Sequence, residues 1–518
     1  MSDILELSAI AMAERIRTKK VSPVELVQAH LDRIAELNPR LNAYVSLRED
    51  EALAEAGRAE AAVMAEEELG PLHGVPISIK SSVAVKGLAF ECGSRTRLDQ
   101  KGSEDAVLVQ RLKSAGAIVL GSTNVPEMLM NYFTDNGIYG RTNSPFDLDR
   151  TPGGSSGGEA AAIAACLSAA GIGSDGGGSI RWPAHCCGIF GLKPTPGRIP
   201  ITGHYPESGG PFAAMGVVGP MARSAEDLDA MFRITAGFDR FDPSAAPVPT
   251  RTSFAELKKT CVGYFEDDGV TPVTRETAAA VRAAAEALRS DGFDVRPFRP
   301  ERIRAARANW WIFFVLCGGA ALQPMLDAQP DAISDGLKEF LAIAHSGQPL
   351  TRDLLLDAWF ARDAIRLAIL RDMEECPILL SPVAATPAFK HGERRWSIGG
   401  KDVDYLDNFA YSQWLNGMGF PGISVPVGRS PEGLPIGVQV IARPYEDELA
   451  LEIAKVLGKS FQWIKPTLAW QRRKRRSLLR DLGDVHAERL QVERLQRAGV
   501  GLPRRQQDLR LCVAETLR

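Results

Sequence analysis

Two short segments rich in glycine and serine carry the side chains best suited to nucleophilic chemistry. They are Gly153-Gly-Ser-Ser-Gly-Gly158 and Asp175-Gly-Gly-Gly-Ser-Ile-Arg181. Glycine has no Cβ and tolerates positive φ, so each segment can bend sharply and expose a serine hydroxyl to a ligand. Consecutive glycine N–H groups can also converge on one anion. These residue types are those of a hydroxyl nucleophile beside an anion-binding loop.

One segment overlaps a pattern typical of dinucleotide-binding loops. Gly171-Ile-Gly-Ser-Asp-Gly176 fits G-x-G-x-x-G, which in those proteins follows a strand and opens a helix. Here the preceding sequence is alanine-rich and helix-like, and Trp182-Pro183 interrupts the helix that should follow. A nucleotide site is therefore a minor alternative, and we expect no cofactor.

The other segment overlaps the nucleophile elbow of α/β-hydrolases. Gly153-Gly-Ser-Ser-Gly157 fits G-x-S-x-G and would make Ser155 the nucleophile of an esterase-type enzyme. That fold requires an acidic residue and then a histidine downstream. The candidate histidines lie in no recognisable setting: His345, His391 and His486. The elbow stays a remote alternative.

Cysteine and histidine placement does not indicate a metal site. His185, Cys186 and Cys187 are adjacent in sequence, and three adjacent residues cannot easily converge on one ion. The eight cysteines show neither paired C-x-x-C spacing nor the density of a secreted disulfide scaffold. We predict packing behind the nucleophile for this tripeptide, no metal, and a reducing compartment.

The elements that hold these segments alternate between helices and strands. Ser22-Pro-Val-Glu25 is a capping box that opens a helix expected to end at Asn38-Pro39. Pro76–Lys80 alternates as a strand, with Ile77 and Ile79 on one face and Lys80 on the other. The alternation predicts an α/β fold: one large domain, residues 1–470, with a mixed, mostly parallel sheet covered by helices. A hairpin near 422–441 supplies the antiparallel part.

Charge and hydropathy limit the partners. The formal net charge of the whole chain is -3, and we expect residues 1–470 to have no attraction for nucleic acid. Residues 471–518 contain thirteen Lys or Arg and six Asp or Glu, and we interpret them as a basic, helical or disordered C-terminal extension. The uncharged stretch Trp310–Leu322 is shorter than the roughly 20 residues needed to cross a bilayer. The acidic start lacks the basic region of a signal peptide, so a cytoplasmic location is expected.

Three spaced motifs resemble the amidase signature family. They are Gly74-Val-Pro-Ile-Ser-Ile-Lys80, Gly153-Gly-Ser-Ser-Gly-Gly-Glu159 and Gly173-Ser-Asp-Gly-Gly-Gly-Ser-Ile-Arg-Trp-Pro-Ala184. The intervals also match, with 75 residues from Lys80 to Ser155 and 24 from Ser155 to Ser179. The similarity extends from the N-terminal helices to about Pro466. The local sequence is most similar to the fatty acid amide hydrolase-like and general amidases.

The resemblance implies a Ser-cisSer-Lys triad formed by Ser179, Ser155 and Lys80. A serine hydroxyl needs an adjacent base near neutral pH, and lysine can be that base only when it is neutral. Lowering its pKa from about 10.4 to roughly 7–8 takes desolvation worth about 3–4 kcal/mol. We therefore expect Lys80 to be buried beside hydroxyls, with no carboxylate touching it. Ser155, after a cis peptide, would relay the proton.

The resemblance also implies an oxyanion hole built from the backbone N–H groups of Gly176, Gly177, Gly178 and Ser179. Ser156 is expected to support the loop by hydrogen bonding, and Asp175 and Arg181 to anchor it from behind. Position 176 departs from the family pattern, which has a small or branched residue such as Thr, Ile or Ala there. We expect this glycine to loosen the loop.

The implied reaction is hydrolysis of small hydrophobic, aryl or fatty-acyl amides, with carbamates included, through an acyl-enzyme. Met130 and Tyr132 are candidate substrate contacts. Two aromatic and methionine clusters are candidate pocket walls: Trp310, Trp311, Phe313, Phe314, Met128 and Phe133. The glutaminase subunit of a tRNA-dependent amidotransferase and a non-catalytic binding protein are the alternatives. We expect a small-molecule amide as the partner and a monomer or homodimer.

Overall fold

A central sheet dominates the computed structural model, which describes residues 2–254 and 256–468. The chain up to Pro466 forms one compact unit, and the extension proposed for 471–518 lies outside the described residues. The strands are β1 Tyr44–Leu47, β2 Pro76–Lys80, β3 Ile118–Thr123, β4 Ala170–Asp175, β5 Phe190–Lys193, β6 Val217–Ala222, β7 Cys261–Tyr264, β8 Asp294–Pro297, β9 Ile378–Pro382, β10 Arg395–Ile398, β11 Lys401–Asp404, β12 Gly422–Arg429 and β13 Pro435–Ala442.

Eleven of these strands, within the described part, pair in the order β1-β3-β2-β4-β6-β5-β12-β13-β9-β7-β8. The pairs β3/β2, β2/β4, β9/β7 and β7/β8 are parallel. The other six pairs are antiparallel. The prediction of one α/β domain with a mixed sheet is confirmed. The parallel share is smaller than the alternation indicated, because β4, β6, β5, β12, β13 and β9 form a continuous antiparallel centre.

Helices cover the sheet and supply the residues around the two glycine-rich segments. They are α1 Ser2–Leu5, α2 Ala9–Arg17, α3 Pro23–Leu41, α4 Glu49–Met64, α5 Val107–Ser114, α6 Gly157–Ala164, α7 Arg181–Cys187, α8 Ala225–Thr235, α9 Arg275–Ser290, α10 Ile303–Trp310, α11 Cys317–Ala328, α12 Asp335–His345, α13 Arg352–Asp372, α14 Ala410–Met418 and α15 Asp447–Ser460.

Strand β2 places the side chain of Lys80 in the interior of the protein. All five of its residues are buried, between β3 on one side and β4 on the other. Ile77 and Ile79 belong to the main hydrophobic core, as the alternation predicts. The side chains of Ser78 and Lys80 contact residues of the Gly153–Gly158 segment and α6 instead. The strand therefore delivers a lysine into a water-poor interior.

Helix α3 begins where the sequence predicts and ends later. Ser22 and Glu25 form the capping box. The expected stop at Asn38-Pro39 was wrong: the helix continues to Leu41, with Pro39 in its last turn. A proline removes one backbone donor but does not forbid the turn that contains it. The helix ends because Asn42 adopts the left-handed conformation, with φ 52°.

A long apolar helical segment runs from Ile303 to Ala328, and its middle, Trp311–Leu316, is a π-helix. It has 26 residues, and an 18-residue stretch within it has a mean hydropathy of 1.4, so by length and composition this helix of the described chain could cross a bilayer. Such evidence is weak, because a core helix of a globular protein meets the same criterion. Trp310 and Phe313 are fully buried within the protein.

A disulfide joins Cys261 of β7 to Cys376, just before β9, across 115 residues of sequence. Cysteine spacing, which favoured a reducing compartment, does not show that two strands adjacent in the sheet bring Cys261 and Cys376 to a Cα separation of 4.6 Å. Disulfides are rare in reducing compartments. The cytoplasmic location stays a prediction, and this bond argues against it.

The disulfide predicts how many thiols can be alkylated. The chain has eight cysteines, so denatured and reduced protein should gain eight alkyl groups per molecule, and the Cys261–Cys376 bond should lower that number by two in protein that has not been reduced. Intact mass spectrometry counts the groups. Eight groups without reduction, on protein purified without reductant, would show that the bond does not form; a Cys261→Ser variant gives the reference for an unpaired Cys376.

Candidate active site

The amine of Lys80 lies in a buried cluster of oxygen atoms. Its Nζ is 2.7 Å from Ser155 Oγ, 2.8 Å from Ser156 Oγ and 3.0 Å from Ser174 Oγ. The carbonyl oxygen of Ser174 lies 3.3 Å away. Lys80 is 0% exposed. All four contacts are hydroxyl or carbonyl oxygens, which matches the expected environment of hydroxyls without a carboxylate in contact.

Burial lowers the pKa of Lys80 to about 7, from 10.5. Removing the ammonium from water disfavours its charged form, and this outweighs the attraction of the more distant acidic groups Asp175 and Glu159. The neutral form of the amine is therefore accessible near pH 7. A neutral amine can accept a proton from a neighbouring hydroxyl.

Glu159, at the start of α6, is a buried acid next to this cluster. It accepts hydrogen bonds from Ser78 Oγ and, at 2.7 Å, from Thr123 Oγ1. Burial raises its pKa to about 7. Gly171 makes room for it, because a Cβ there would lie 1.7 Å from Glu159 Oε1. Sequence reasoning assigned no role to Glu159.

Ser155 and Ser179 come from different segments and line the same cavity. The peptide bond between Gly154 and Ser155 is cis. The two segments touch directly, since the N–H of Ser156 donates to the carbonyl of Ser179 at 3.2 Å. Ser179 is 8% exposed and Ser155 1%. Among the described residues no hydrogen bond joins the two hydroxyls; catalytic hydrogen bonds are often long before substrate binds.

The Gly176-to-Ser179 loop offers fewer free donors than predicted. The N–H of Gly178 donates to Asp175 Oδ1 at 2.7 Å, so it faces away from any substrate. This corrects the predicted set of four, because a carboxylate inside the loop competes for that donor. The N–H groups of Gly176, Gly177 and Ser179 have no hydrogen-bond partner in the described part of the chain. Of these three residues, Gly176 and Ser179 also line the cavity that contains Ser155.

Asp175 and Arg181 form a fully buried ion pair behind the loop. Arg181 Nη2 is 3.0 Å from Asp175 Oδ1, and Nε is 3.1 Å from Oδ2. Burial alone would raise the pKa of Asp175, but Arg181 and the N–H of Ile180 hold it below its ordinary value. Arg181 also donates to Gln439 Oε1 at 2.9 Å. The pair therefore fixes the loop to β13.

Two aromatic residues hold the carbonyl groups of the loop. Tyr132 Oη donates to the carbonyl of Gly177 at 2.8 Å, and Trp310 Nε1 donates to that of Gly176 at 2.9 Å. Tyr132 is 6% exposed and stacks on Phe409, with ring centroids 3.7 Å apart. It is absent from the described cavity lining, so its expected role as a substrate contact is replaced by one of loop support.

The cavity in front of Ser179 has a volume of about 130 Å³ and mostly apolar walls. Only some of the residues predicted to form the cavity wall do so. Met128, Met130 and Phe314 line the cavity, whereas Phe313 is in the core and packs on Trp359. Additional apolar lining comes from Phe212, Val217 and Leu322. Among the described residues, the lining includes no Arg or Lys side chain.

His204 lines the same cavity and was missed in the sequence analysis. Its Nδ1 is 3.0 Å from the carbonyl of Pro206, and its buried Nε2 has no partner among the described residues. Burial, with a smaller contribution from Lys80, lowers its pKa to about 3. The ring is therefore neutral near pH 7. Nothing in the local sequence signals this placement.

The rival motifs do not form the sites they suggest. The G-x-G-x-x-G match is mostly strand β4, paired to β2 and β6, rather than a strand-to-helix turn. Ser155 has Lys80 rather than a histidine beside it. His185 packs behind the loop and accepts from the N–H of Gly437 at 3.0 Å. The described residues contain no group of three or more His, Cys, Asp or Glu suited to a metal.

Breaking the Asp175–Arg181 pair should destabilise the protein. In Asp175→Asn the Arg181 guanidinium is left buried and unpaired, and such losses cost about 3–5 kcal/mol. Urea denaturation followed by fluorescence measures the free energy of unfolding. The matched control is Asp404→Asn, which breaks an exposed ion pair with Arg395 and should leave the midpoint essentially unchanged. Equal midpoints for the two variants would contradict the anchoring role.

The chain is similar to known amide-hydrolysing proteins over most of its length. A family model described as Amidase matches residues 25–451. Indoleacetamide hydrolase of Bradyrhizobium diazoefficiens is 36% identical over 465 residues, covering 88% of this chain and 86% of that protein. A glutamyl-tRNA(Gln) amidotransferase subunit from a Synechococcus species is 31% identical over 484 residues, covering 88% and 92%. The crystal structure of a bacterial aryl acylamidase superposes with a TM-score of 0.78 at 26% identity, covering 88% of this chain and 96% of that one. The chain belongs to the amidase signature family of amide-hydrolysing enzymes.

Proposed function

We propose that the protein hydrolyses small hydrophobic or aryl carboxamides through a Ser179 acyl-enzyme, with Lys80 as the base and Ser155 as the proton relay. The observation that carries the proposal is the fully buried Lys80 amine, whose contacts are hydroxyl and carbonyl oxygens and whose pKa is about 7. It lies behind two serines that open onto one apolar cavity.

In the first half-reaction, Ser179 Oγ attacks the amide carbonyl carbon. Its proton passes to Ser155 Oγ as the Ser155 proton passes to Lys80 Nζ, so the hydroxyl becomes nucleophilic without a free alkoxide. The negative charge on the carbonyl oxygen is held by the N–H groups of Gly176, Gly177 and Ser179. When the C–N bond breaks, the proton returns through Ser155 to the departing nitrogen, and an ester to Ser179 remains.

In the second half-reaction, water attacks the ester carbonyl, and its proton travels the same way to Lys80. The C–O bond to Ser179 then breaks, and Ser179 recovers its proton through Ser155. The net change is amide plus water to carboxylic acid plus amine. The cycle uses no redox equivalent, and all its proton transfers run through the Lys80 cluster.

The size and lining of the cavity select the acyl group. An apolar protein cavity of about 150 Å³ holds one benzene molecule, so about 130 Å³ suits one aromatic ring or a short alkyl chain. A long fatty-acyl chain does not fit that volume. The names of the relatives indicate an arylacetamide-type substrate, with its aromatic group on the acyl side, and an aryl amide.

Glutaminase activity is the second candidate within the family, supported by the likeness to an amidotransferase subunit. Glutamine carries an α-carboxylate, which needs a cationic partner. The described cavity lining includes no Arg or Lys, so it supplies no cationic side chain for that carboxylate. Small hydrophobic amides therefore fit better than glutamine.

A panel of amides tests the substrate class. We expect ammonia or amine release from phenylacetamide and from an acetanilide, lower rates with a carbamate, and rates near background with oleamide and glutamine. Ser179→Ala should reduce turnover by about 10³-fold or more. Glutamine as the preferred substrate would replace the proposal by the glutaminase alternative.

Labelling provides the control for a folded but silent protein. A fluorophosphonate probe should add the mass of one probe group to the parent protein and none to Ser179→Ala, because only an activated hydroxyl reacts. If folded parent protein stays unlabelled and hydrolyses no amide in the panel, the chain is a binding protein and the mechanism is wrong.

The pKa of Lys80 predicts the pH dependence of kcat/KM. The amine is a base only when neutral, so kcat/KM should rise with pH through about 7 and reach a plateau above it. In Lys80→Met, kcat/KM should be about 10²–10⁴-fold lower and should not rise with pH through about 7. Stopped assays between about pH 5.5 and 9.5, a range that brackets the usual operating pH of such bases, measure the profile.

Glu159→Gln separates the lysine from the neighbouring acid. The negative charge of Glu159 favours protonated Lys80, so its removal should move the rising limb to lower pH while the plateau rate is retained. If the rise of kcat/KM with pH disappears in Glu159→Gln but persists in Lys80→Met, the titrating group is Glu159 rather than Lys80.

A further inference from the structure

The first observation concerns which way the peptide planes of the loop face. Trp310 Nε1 donates to the carbonyl oxygen of Gly176 at 2.9 Å. In a trans peptide the carbonyl and the following N–H point in opposite directions, and the Gly176–Gly177 bond is not one of the cis bonds. The Trp310 hydrogen bond therefore holds the N–H of Gly177 on the side away from the indole.

In the next peptide plane, between Gly177 and Gly178, both the carbonyl and the N–H group are hydrogen-bonded within the protein. Tyr132 holds the carbonyl of Gly177, and the N–H of Gly178 on the other side of that plane is taken by Asp175. The N–H of Gly177 has no hydrogen-bond partner among the described residues. Of these two planes, the one held by Trp310 is therefore the one whose N–H donor is unpaired in the described part of the chain.

The second observation concerns the ring beside Trp310. Phe314 stacks on it, with ring centroids 4.9 Å apart and planes inclined by 13°. Both residues belong to the helical segment in which Trp311–Leu316 is π-helical, and π-turns recur at functional sites. Phe314 also lines the cavity in front of Ser179. One aromatic stack therefore touches both the loop and the acyl pocket.

The third observation explains the departure at position 176. A Cβ on Gly176 would lie 2.9 Å from Phe314 Cε2, closer than side-chain carbons pack. The φ of Gly176 lies outside the left-handed region, so the backbone does not demand glycine. The glycine gives space to the Phe314 ring. The expected loosening of the loop is opposed, because the ring and the Trp310 hydrogen bond fill and hold that point.

We infer that Trp310 is a positioning residue for the Gly177 donor of the oxyanion hole, and that Phe314, seated against Gly176, is the wall that selects a flat acyl group. The inference rests on the proposed function, since it presumes that Ser179 forms an acyl-enzyme. It adds that acyl selection and oxyanion stabilisation share one aromatic stack, so a change in either ring alters both.

Trp310→Phe tests the positioning role. The variant keeps an aromatic ring for Phe314 but loses the N–H donor and part of the volume of the indole; the control below loses the same volume. We expect kcat for phenylacetamide to fall about 10- to 100-fold, less than the loss of a whole oxyanion donor, with KM within about threefold. The inhibition constant of phenylboronic acid, whose adduct with Ser179 is tetrahedral, should rise by a similar factor.

Trp414→Phe is the matched control. Trp414 is equally buried, and its Nε1 has no partner among the described residues, so the same substitution removes no hydrogen bond there. Its kcat should stay within about twofold of the parent. Parent protein that hydrolyses no amide would defeat the proposed function. Active parent protein with equal kcat in the two Phe variants would defeat this inference alone.

A double-mutant cycle tests the contact between Gly176 and Phe314. Gly176→Ala should lower kcat/KM for phenylacetamide by about tenfold or more, because the methyl group displaces the ring. Phe314→Leu should lose preference for phenylacetamide over butyramide. In the double variant the added methyl group has room. The factor by which kcat/KM for phenylacetamide falls should therefore be smaller than the product of the factors for the two single variants. Multiplicative losses, in variants with parent-like unfolding midpoints, would overturn the shared role.

Discussion

The dehydrated amine of Lys80 is the constraint on which the rest of the site depends. An ammonium without water or a carboxylate is costly, and four oxygen contacts from Ser155, Ser156 and Ser174 replace its hydration. Those partners come from a loop before α6 and from the end of β4. The buried Lys80 amine therefore depends on contacts from both that loop and β4, which meet at the end of strand β2.

The conformation of the loop that follows β4 is fixed by the residues packed against it, although the loop is rich in glycine. Each of its three glycines approaches a different group: Gly176 the ring of Phe314, Gly177 the indole of Trp310, and Gly178 the Cβ of Ser412. Gly178 alone has a positive φ, 123°. A run of glycines that suggests mobility in sequence is thus packed on several sides, which keeps its donors fixed before substrate arrives.

Much of this arrangement was predictable, and the failures have a common cause. The hydroxyl segments, the strand that carries Lys80 and the α/β fold follow from local pattern and from the family resemblance. The use of the Gly178 donor by Asp175, the loop-supporting role of Tyr132 and the place of His204 depend on how the folded chain brings particular partners together. Periodicity reports which face a residue occupies, not which partner it meets there.

The charge balance around the amine explains how it stays near neutrality with two acids close by. Asp175 and Glu159 both favour protonated Lys80, and two full negative charges there would keep the ammonium charged and useless as a base. Arg181 compensates Asp175 through two hydrogen bonds. Burial raises the pKa of Glu159 to about 7, which disfavours its negatively charged form. A buried base therefore requires that its acidic neighbours be paired or protonated, and the sequence supplies Arg181 for one and a desolvated pocket for the other.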